Sequence, residues 1–355
     1  MQAIVVRRGE NEPELVEKPR PEPEDGEALV RILRVGIDGT DQEVLEESPE
    51  EFPEGDDHMV LGHEAAGVVE EPNGTDYEVG DTVVPTVRRR PDDGPNEYFD
   101  RGEPDMAPPG YHVECGISGA HGYMAEYVAI PEDRLVEIPR RLAELGCFVE
   151  PISITEKALE HAYASRSAFE WSPQRALVLG NGPLGLVTLA MLRQEFEDIY
   201  CLGRRDRPDP TIDVIEDLGG TYIDSRETPV DEIPEAYAGM DLIYEATGYA
   251  KHPIQSVFGL APNGVAALVG ISSPWEFEID GGAFHTELVV KNKALIGTVN
   301  SNERHFKRAI RTLRALPSWL FEDLITTVAT PEDVEPAFVD DDEQIKAIVE
   351  FSQLS

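Results

Sequence analysis

The stretch that decides the fold is Ala176-Leu177-Val178-Leu179-Gly180-Asn181-Gly182-Pro183-Leu184-Gly185, near the middle of the chain. Its four leading apolar residues are typical of a buried strand, and the apolar run that follows, Leu186–Arg193, predicts a helix. The first glycine suits a tight turn, the second a close approach by a pyrophosphate, and the third close packing of helix on strand. Strand, glycine turn and helix in this order predict a dinucleotide site around the residues from Gly180 to Gly185.

Further apolar runs continue this pattern toward the C-terminus. Strand-like segments recur after the predicted helix and alternate with helical ones: Ile199–Leu202, Thr221–Ile223, Leu242–Glu245, Val265–Val269 and Ala294–Ile296. Because strands that alternate with helices form parallel sheets with helices on both faces, the pattern predicts a doubly wound α/β domain.

The residues after the second strand of this domain indicate which dinucleotide binds. Where NAD-binding domains carry an acid for the ribose 2′-hydroxyl, the chain reads Gly203-Arg204-Arg205-Asp206-Arg207. The adjacent guanidinium groups of Arg204 and Arg205 are suited to a 2′-phosphate, so NADP is favoured over NAD. Two alternatives stay open: the arginines pair with surface acids, or Asp206 binds an NAD ribose.

The first 150 residues have a different pattern. Short β-branched or apolar runs, separated by Gly, Pro and acidic turns, predict a β-rich domain. These runs are Ala3–Val6, Ala28–Val35, Met59–Leu61, Ala65–Val69, Thr82–Pro85 and Tyr127–Ile130. Residues 86–116 contain several prolines and little periodicity, which predicts a long surface lobe.

The composition restricts the classes of partner. The 355 residues include 70 Asp and Glu against 30 Lys and Arg, a net charge of −40, yet 41% are apolar, enough to build cores. Concentrated salt relieves such self-repulsion, because the Debye length falls to about 3 Å at 1 M, so the composition indicates an enzyme of a salt-accumulating halophile. An acidic tail is the alternative, but the acids are spread along the whole chain. So acidic a surface argues against nucleic acid as a partner.

The cysteines and the apolar runs point to a compartment. Cys115, Cys147 and Cys201 lie far apart and form no CxxC pair, which argues against a disulfide framework and against a thiolate-rich zinc cluster. The N-terminus lacks a signal-peptide pattern, and no apolar run approaches the length of a membrane span. We therefore expect a soluble, cytoplasmic protein that binds no membrane.

Three dispersed residues suggest a metal site. Asp38, His63 and Glu150 would offer a carboxylate, an imidazole and a second carboxylate. Three such ligands plus water make an open zinc site suited to catalysis. Taken singly, each residue has a simpler interpretation: a turn residue, a packed polar side chain and a surface acid.

Several motifs together resemble a known family. They are Gly62-His63-Glu64-Ala65-Ala66-Gly67, Val79-Gly80-Asp81-Thr82-Val83 and the glycine turn after residue 176. This combination resembles the zinc-dependent medium-chain alcohol dehydrogenases over nearly the whole chain. The resemblance implies a β-rich GroES-like catalytic domain over residues 1–152 and 298–355, and a Rossmann domain over residues 153–297. It also implies a homodimer or a homotetramer.

The resemblance assigns roles to the metal residues. Asp38 stands where the family usually has a zinc-binding cysteine, and His63 matches the second ligand. Glu64 matches an acid that ligates zinc or lies just outside it, and Glu150 matches the third ligand of the sugar-oxidising branch. Zinc tolerates carboxylate in place of thiolate, although the harder donors bring Mg or Mn into consideration. The family's structural zinc needs four clustered cysteines, so with Cys115 alone in the lobe none is expected.

Substrate and cofactor contacts follow from the same resemblance. Thr40 would hydrogen-bond the reacting oxygen, and Glu114, Glu150 and Asn300 would contact sugar hydroxyls. Two segments would line the nicotinamide, Gly270-Ile271-Ser272 and Thr298-Val299-Asn300. Ordinary strand-end loops are the alternative for these segments.

The implied reaction is the zinc-assisted oxidation of glucose at its anomeric carbon. Hydride would pass from C1 to NADP, with NAD possible, and the product would be the lactone. The alternatives are a polyol or alcohol dehydrogenase, or a nucleotide-binding sensor that has kept the fold and lost turnover. A polyhydroxylated substrate suits a site with several fixed polar groups better than an aliphatic alcohol does.

Overall fold

A computed structural model describes residues 1–47, 49, 51–91, 94–339, 341 and 343–354. The chain forms two compact units, Met1–Ser153 with Asn300–Ser355, and Ile154–Val299. The first unit is mainly antiparallel sheet, and the second is one parallel sheet with helices. The predicted α/β class, with a β-rich part and a doubly wound part, is confirmed.

The strands in chain order are β1 (Gln2–Arg7), β2 (Glu14–Glu17), β3 (Glu27–Ile37), β4 (His58–Val60), β5 (Glu64–Glu71), β6 (Thr82–Pro85), β7 (Arg88–Arg89), β8 (Val113–Cys115), β9 (Gly119–Ala120), β10 (Tyr127–Pro131), β11 (Leu135–Glu137), β12 (Arg175–Leu179), β13 (Asp198–Gly203), β14 (Thr221–Asp224), β15 (Met240–Glu245), β16 (Leu260–Leu268), β17 (Ala294–Gly297), β18 (Ile325–Ala329) and β19 (Lys346–Glu350).

The α-helices are α1 (Gly39–Glu47), α2 (Glu97–Asp100), α3 (Val149–Arg166), α4 (Pro183–Leu192), α5 (Pro210–Asp217), α6 (Ile233–Tyr237), α7 (His252–Gly259), α8 (Gly281–Val290), α9 (Glu303–Ala315) and α10 (Ser318–Leu324). Short 3₁₀ helices cover Pro104–Met106, Glu132–Arg134, Arg140–Phe148, Val230–Glu232 and Glu335–Phe338.

The parallel sheet of the second unit has the strand order β14-β13-β12-β15-β16-β17. Counted within the unit this is the order 3-2-1-4-5-6 of the dinucleotide-binding doubly wound fold. Every neighbouring pair is parallel. The strand order reverses between β12 and β15, and open α/β sheets bind their ligands beyond the carboxyl ends of the strands at such a point.

The turn between β12 and α4 requires glycine at two positions. Gly180 has a φ of +111°, in the left-handed region that side chains disfavour. A Cβ on Gly185 would overlap the carbonyl oxygen of Gly180. Gly182 differs, because its φ is −76° and no atom lies within 4 Å of the place a Cβ would take. The turn therefore leaves open space at the amino end of α4.

Strand β3 is the centre of the largest sheet of the first unit. The sheet runs β11-β6-β5-β3-β19-β18, and β10 pairs with the first half of β3. Because β19 comes from the end of the chain and pairs with β3, the C-terminal segment completes a sheet begun by the N-terminal segment. Buried residues of these strands, such as Val30, Ile32, Val35 and Val69, form the core.

Residues 86–116 contain more regular structure than the sequence predicts. Their described part includes β7, α2 and β8, and Arg88 of β7 pairs directly with Glu114 of β8. Arg88 is also buried, which a surface lobe does not predict. Strands of two or three residues have no periodicity to detect, and they form only because tertiary contacts hold them. The strands β2, β11 and β18, of three to five residues, are also missing from the sequence prediction.

The three cysteines, Cys115, Cys147 and Cys201, are free and buried. Among the described residues, no helix is both long enough and apolar enough to cross a bilayer.

Gly185→Ala is expected to destabilise the protein, because the added methyl meets the carbonyl of Gly180. Overpacking of this kind costs about 1–3 kcal/mol of the free energy of unfolding. Gly182→Ala is the matched control and should change that free energy by less than about 1 kcal/mol, since its Cβ meets nothing. Denaturant unfolding in concentrated KCl measures both, and equal losses would contradict the packing described for the turn.

Candidate active site

Asp38 precedes helix α1 and is oriented by it. Its Oδ1 accepts hydrogen bonds from the backbone N–H groups of Thr40 (2.9 Å) and Asp41 (3.1 Å). The Asp41 carboxylate accepts in return from the N–H of Asp38 (3.1 Å), a reciprocal cap of the helix. The second oxygen of Asp38, Oδ2, lies 3.5 Å from Nε2 of His63. The helix start therefore fixes one oxygen of Asp38 and leaves the other facing His63.

His63 is held between two carboxylates. It follows Gly62, whose φ of +85° and close surroundings exclude a side chain. Its Nε2 faces Asp38, and its Nδ1 lies 3.7 Å from Oδ1 of Asp41. Neither this nitrogen nor this oxygen has a hydrogen-bond partner in the described part of the chain. Burial lowers the pKa of His63, but Asp38 and Asp41 together outweigh burial and raise it well above its ordinary value.

Glu64 forms a buried ion pair with Lys346. Glu64 lies on β5 and Lys346 on β19, the two strands that flank β3. Gly36 of β3 is the residue opposite Glu64, and a Cβ there would overlap its carboxylate. Burial raises the pKa of Glu64 to about 7, although the charge of Lys346 lowers it. The ion pair thus occupies space that a side chain at position 36 would fill.

Glu150 is buried in the first turn of α3. A helix N-terminus favours a charged carboxylate. Burial acts in the opposite direction and raises the pKa of Glu150 to about 8, although the charge of His63 lowers it. The hydroxyl of Ser153 donates to the backbone carbonyl of Glu150 (2.6 Å) and holds this turn. Glu150 therefore lacks a counter-charge strong enough to offset its burial.

These side chains form two overlapping groups that share His63. The ligand atoms of Asp38, Asp41 and His63 lie within 4.8 Å of one another, and so do those of His63, Glu64 and Glu150. All four predicted metal ligands thus lie around the imidazole, with Asp38 and Glu150 in different groups. The carboxylates outnumber the cations near them, and a divalent cation would neutralise the excess charge. Oxygen and nitrogen donors of this kind fit zinc and also accept harder cations.

Glu114 and Asn300 form a second polar group in the same unit. Nδ2 of Asn300 donates to Oε1 of Glu114 (3.1 Å), although the two residues are 186 positions apart in the chain. Oδ1 of Asn300 accepts from the N–H of Ser301 (2.7 Å), and its backbone φ is +56°. Thr40 donates from Oγ1 to Oδ2 of Asp38 (3.3 Å). The structure therefore brings the two predicted sugar contacts together and places Thr40 beside a predicted metal ligand.

The predicted pyrophosphate turn of the second unit ends at the N-terminus of α4. Pro183 is the first helical residue, and Leu184 and Gly185 complete the first turn, whose N–H groups lack helical partners. The Asn181 side chain donates to Oγ1 of Thr211 (2.5 Å), which ties the turn to the start of α5. With the space next to Gly182, the turn has the features of an anion cradle.

The two arginines after β13 differ in their surroundings. Arg204 is exposed, while Arg205 is half-buried with its Nε 3.9 Å from the carboxylate of Asp209. Asp206, the acid that could serve an NAD ribose, forms an ion pair with Arg226 (2.6 Å). The charge of Asp206 is thus neutralised by a cation other than Arg204 or Arg205.

The segments predicted to line the nicotinamide follow neighbouring strands of the parallel sheet. Residues 270–272 come after β16, where a Cβ on Gly270 would overlap the backbone of Gly248. Residues 298–299 come after β17, and the Val299 carbonyl accepts a hydrogen bond from the buried Lys157 (2.9 Å). The carboxyl ends of parallel strands share one edge of the sheet, so both segments lie at its ligand-binding edge.

The sequence patterns assign no role to three residues that the structure places in these groups: Asp41, Lys346 and Arg88. An acid three positions after Asp38 is a helix-capping pattern, and that signal could have indicated Asp41. Lys346 and Arg88 reach their partners only through strand pairing, and no local pattern marks them.

Comparison with known proteins assigns the family. A family model described as the alcohol dehydrogenase GroES-like domain matches residues 24–140. Another, described as the glucose dehydrogenase C-terminus, matches residues 143–351. The glucose 1-dehydrogenase of Haloferax mediterranei is 63% identical, with 99% of each chain covered. That of Haloarcula marismortui is 62% identical, with 100% of each chain covered.

A solved structure agrees with these sequence matches. The Haloferax mediterranei glucose dehydrogenase in complex with NADP, Zn and gluconolactone superposes with a TM-score of 0.98 at 63% identity, covering 99% of this chain and 100% of that one. The β-rich unit is thus GroES-like and the parallel sheet is a Rossmann fold. The chain belongs to the glucose dehydrogenase branch of the medium-chain alcohol dehydrogenase family.

Proposed function

We propose that this chain is an NADP-dependent glucose 1-dehydrogenase that oxidises D-glucose at C1 to gluconolactone. The observation that carries the proposal is the convergence of Asp38, Glu64 and Glu150 on His63. The chain's 63% identity to a protein named glucose 1-dehydrogenase, and that enzyme's complex with gluconolactone, support the choice of sugar.

Asp38, His63, Glu64 and Glu150 are the residues that we propose to hold zinc. The unpartnered Nδ1 of His63 and the excess of carboxylates fit a cation at this position. Zinc, when bound, supplies a Lewis acid that lowers the pKa of a sugar hydroxyl. Glu64 and Glu150 both lie in the group around His63, so either carboxylate can complete the zinc site.

Thr40 would orient the reacting hydroxyl. Its Oγ1 donates to Asp38 in the structure and can both donate and accept hydrogen bonds. Placed beside a predicted metal ligand, this hydroxyl would accept the proton that leaves the C1 oxygen and begin its transfer toward solvent. Glu114 and Asn300 would bind other hydroxyls and fix the ring, which raises the effective concentration of the reacting carbon.

The second unit would bind NADP, which accepts the hydride at its nicotinamide ring. The N–H groups at the start of α4 and the space beside Gly182 suit the pyrophosphate. Arg204 and Arg205 suit the 2′-phosphate, and Asp206, held by Arg226, would not repel it. Residues 270–272 and 298–300 would line the nicotinamide.

We further infer a homodimer. Helix α8 is largely apolar in sequence, yet none of its residues is buried, and Val290 is 74% exposed. Strand β17, which follows α8 in the chain, is an edge strand that pairs only with β16 among the described strands. An exposed apolar helix next to an open sheet edge is typical of an interface between subunits. A homotetramer would require a further surface.

The net charge of −40 supports a halophilic enzyme that works in concentrated salt, where surface repulsion is screened. Three free, buried cysteines are compatible with a reducing cytoplasm, where we propose that the protein functions.

The direct test is NADP reduction in multimolar KCl with a panel of aldoses, polyols and simple alcohols. We expect glucose to be among the best substrates, and a chelator to abolish the activity until zinc is restored. His63→Ala should lower kcat/KM by about a hundredfold or more, since it removes the shared ligand. Activity on alcohols but not on aldoses, or activity that survives metal removal, would contradict the proposal.

The stabilisation by zinc should depend on pH. In the zinc-free protein burial raises the pKa of Glu150 from 4.5 to about 8, so the folded state binds more protons than the unfolded state between these values. Its free energy of unfolding should therefore fall as pH rises from 4.5 to about 8. Zinc favours the ionised carboxylates, so the difference in Tm between zinc-loaded and zinc-free protein should widen across this range.

Glu150→Gln is the matched variant for this experiment, because its amide cannot ionise. The difference in Tm between the zinc-loaded and the zinc-free variant should widen less with pH than the same difference in the wild type. Calorimetry in concentrated KCl measures both. A difference that is constant with pH in the wild type would contradict a site that must lose protons to bind zinc.

Replacing Arg204 and Arg205 by Ser should raise the KM for NADP by about ten- to a hundredfold, because each loses a charge-assisted hydrogen bond to phosphate. The KM for NAD, which lacks that phosphate, should change much less. Arg193→Gln is the control, since Arg193 caps the opposite end of α4. Equal effects on both cofactors would count against the assignment.

A further inference from the structure

Arg88 is a buried cation on β7, with 5% of its side chain exposed. Its Nη1 donates to three backbone carbonyls, those of Pro104 (3.2 Å), Asp105 (3.1 Å) and Ala107 (3.1 Å). These carbonyls lie at or just after the 3₁₀ helix Pro104–Met106, and the Pro104 carbonyl also accepts a hydrogen bond from the N–H of Ala107. One end of the guanidinium is therefore anchored to the backbone.

The other edge of the guanidinium holds Glu114. Arg88 and Glu114 are directly opposite each other on β7 and β8, and Nε of Arg88 donates to Oε1 of Glu114 (2.9 Å). Nδ2 of Asn300 donates to the same oxygen (3.1 Å). A single carboxylate oxygen thus receives two fixed donors, which restricts the rotation of the carboxylate.

The same contacts leave two groups available for a ligand. Within the described residues, no protein donor hydrogen-bonds Oε2 of Glu114, and the second N–H of the Asn300 amide has no protein acceptor. The Glu114 side chain is 21% exposed. Glu114 and Asn300 therefore present one acceptor and one donor side by side. Two neighbouring hydroxyls match them when one hydroxyl donates to Glu114 and the other accepts from Asn300.

We propose that Arg88 is the positioning residue of this pair: it fixes Glu114, and through the shared Oε1 also Asn300, so that together they recognise two adjacent hydroxyls of the sugar. The inference rests on the proposed function and adds to it the element that orients the sugar contacts. A planar guanidinium reaches the carbonyls and the carboxylate at once, whereas an ammonium at the same place would reach one or the other.

The test compares Arg88→Lys and Arg88→Met with the wild type in concentrated KCl. We expect the KM for glucose and the Kd for gluconolactone, measured by calorimetry, to rise about tenfold or more, as for a lost charge-assisted hydrogen bond. The KM for NADP and the zinc content should stay unchanged, because neither the cofactor nor the metal contacts Arg88 in the proposed site. A deoxyglucose that lacks one of the two hydroxyls bound by Glu114 and Asn300 should lose less affinity on substitution of Arg88 than glucose does.

A double-mutant cycle with Glu114→Gln separates positioning from general structure. If Arg88 acts through Glu114, then Arg88→Lys should weaken gluconolactone binding much less in the Glu114→Gln background than in the wild type. Arg31→Lys is the matched control, because Arg31 hydrogen-bonds Glu70, Ser352 and Gln353, none of which belongs to the proposed site. That variant should leave sugar binding unchanged.

Additive effects in the cycle, or a parallel loss of NADP affinity and thermal stability, would overturn the proposal. If Arg88→Met does not fold, Arg88→Lys, which keeps the buried charge, carries the test alone. Wild-type protein that oxidises no aldose would instead refute the proposed function, whereas wild-type activity with additive variants would refute only the role of Arg88.

Discussion

The first unit depends on a buried ion pair, Glu64 with Lys346, at the place where three strands meet. Burial of either charge without the other would be unfavourable, because an unpaired buried charge costs several kcal/mol. Together they fill the space above Gly36, the residue of β3 that lies opposite Glu64. The pair joins residues 282 positions apart. The ion pair therefore favours the pairing of the C-terminal strand β19 with β3, although the whole second unit lies between them in the sequence.

The ion pair also accounts for the electrostatics next to it. Lys346 is paired with Glu64, and the charges of His63 and Lys346 do not offset the burial that raises the pKa of Glu150 to about 8. Asp38 differs from Glu150, because His63 and the N-terminus of α1 hold the pKa of Asp38 below the ordinary value in spite of burial. A cation is the natural completion of such a group. A carboxylate at position 38 carries the same charge as a thiolate would and is a harder donor.

Features marked by a local sequence pattern could be predicted, whereas contacts between distant segments could not. The Rossmann unit is predictable because most of its strands contain an apolar run and its turn carries three glycines, of which Gly180 and Gly185 are required by backbone geometry. Asp38, His63 and Glu150 could be grouped only through resemblance to a family. Arg88 and Lys346 could not be found at all, since an arginine in an irregular lobe and a lysine near the C-terminus acquire meaning only when β7 meets β8 and β19 meets β3.

The distribution of lysine follows from the same physics. The chain has seven lysines against twenty-three arginines. Three of the seven are buried: Lys157, Lys293 and Lys346. Each donates from Nζ into the interior, to the carbonyl of Val299, to the carbonyl of Val257 and to Glu64, respectively.

A compact ammonium makes such contacts as a point charge, whereas a guanidinium spreads its donors over a plane. At the surface a planar guanidinium pairs with the abundant carboxylates through more than one hydrogen bond. Arg226, which binds both Asp206 and Asp224, is an example. The three buried lysines thus lie where a single compact donor suffices, whereas Arg88 and Arg226 lie where one side chain makes several hydrogen bonds.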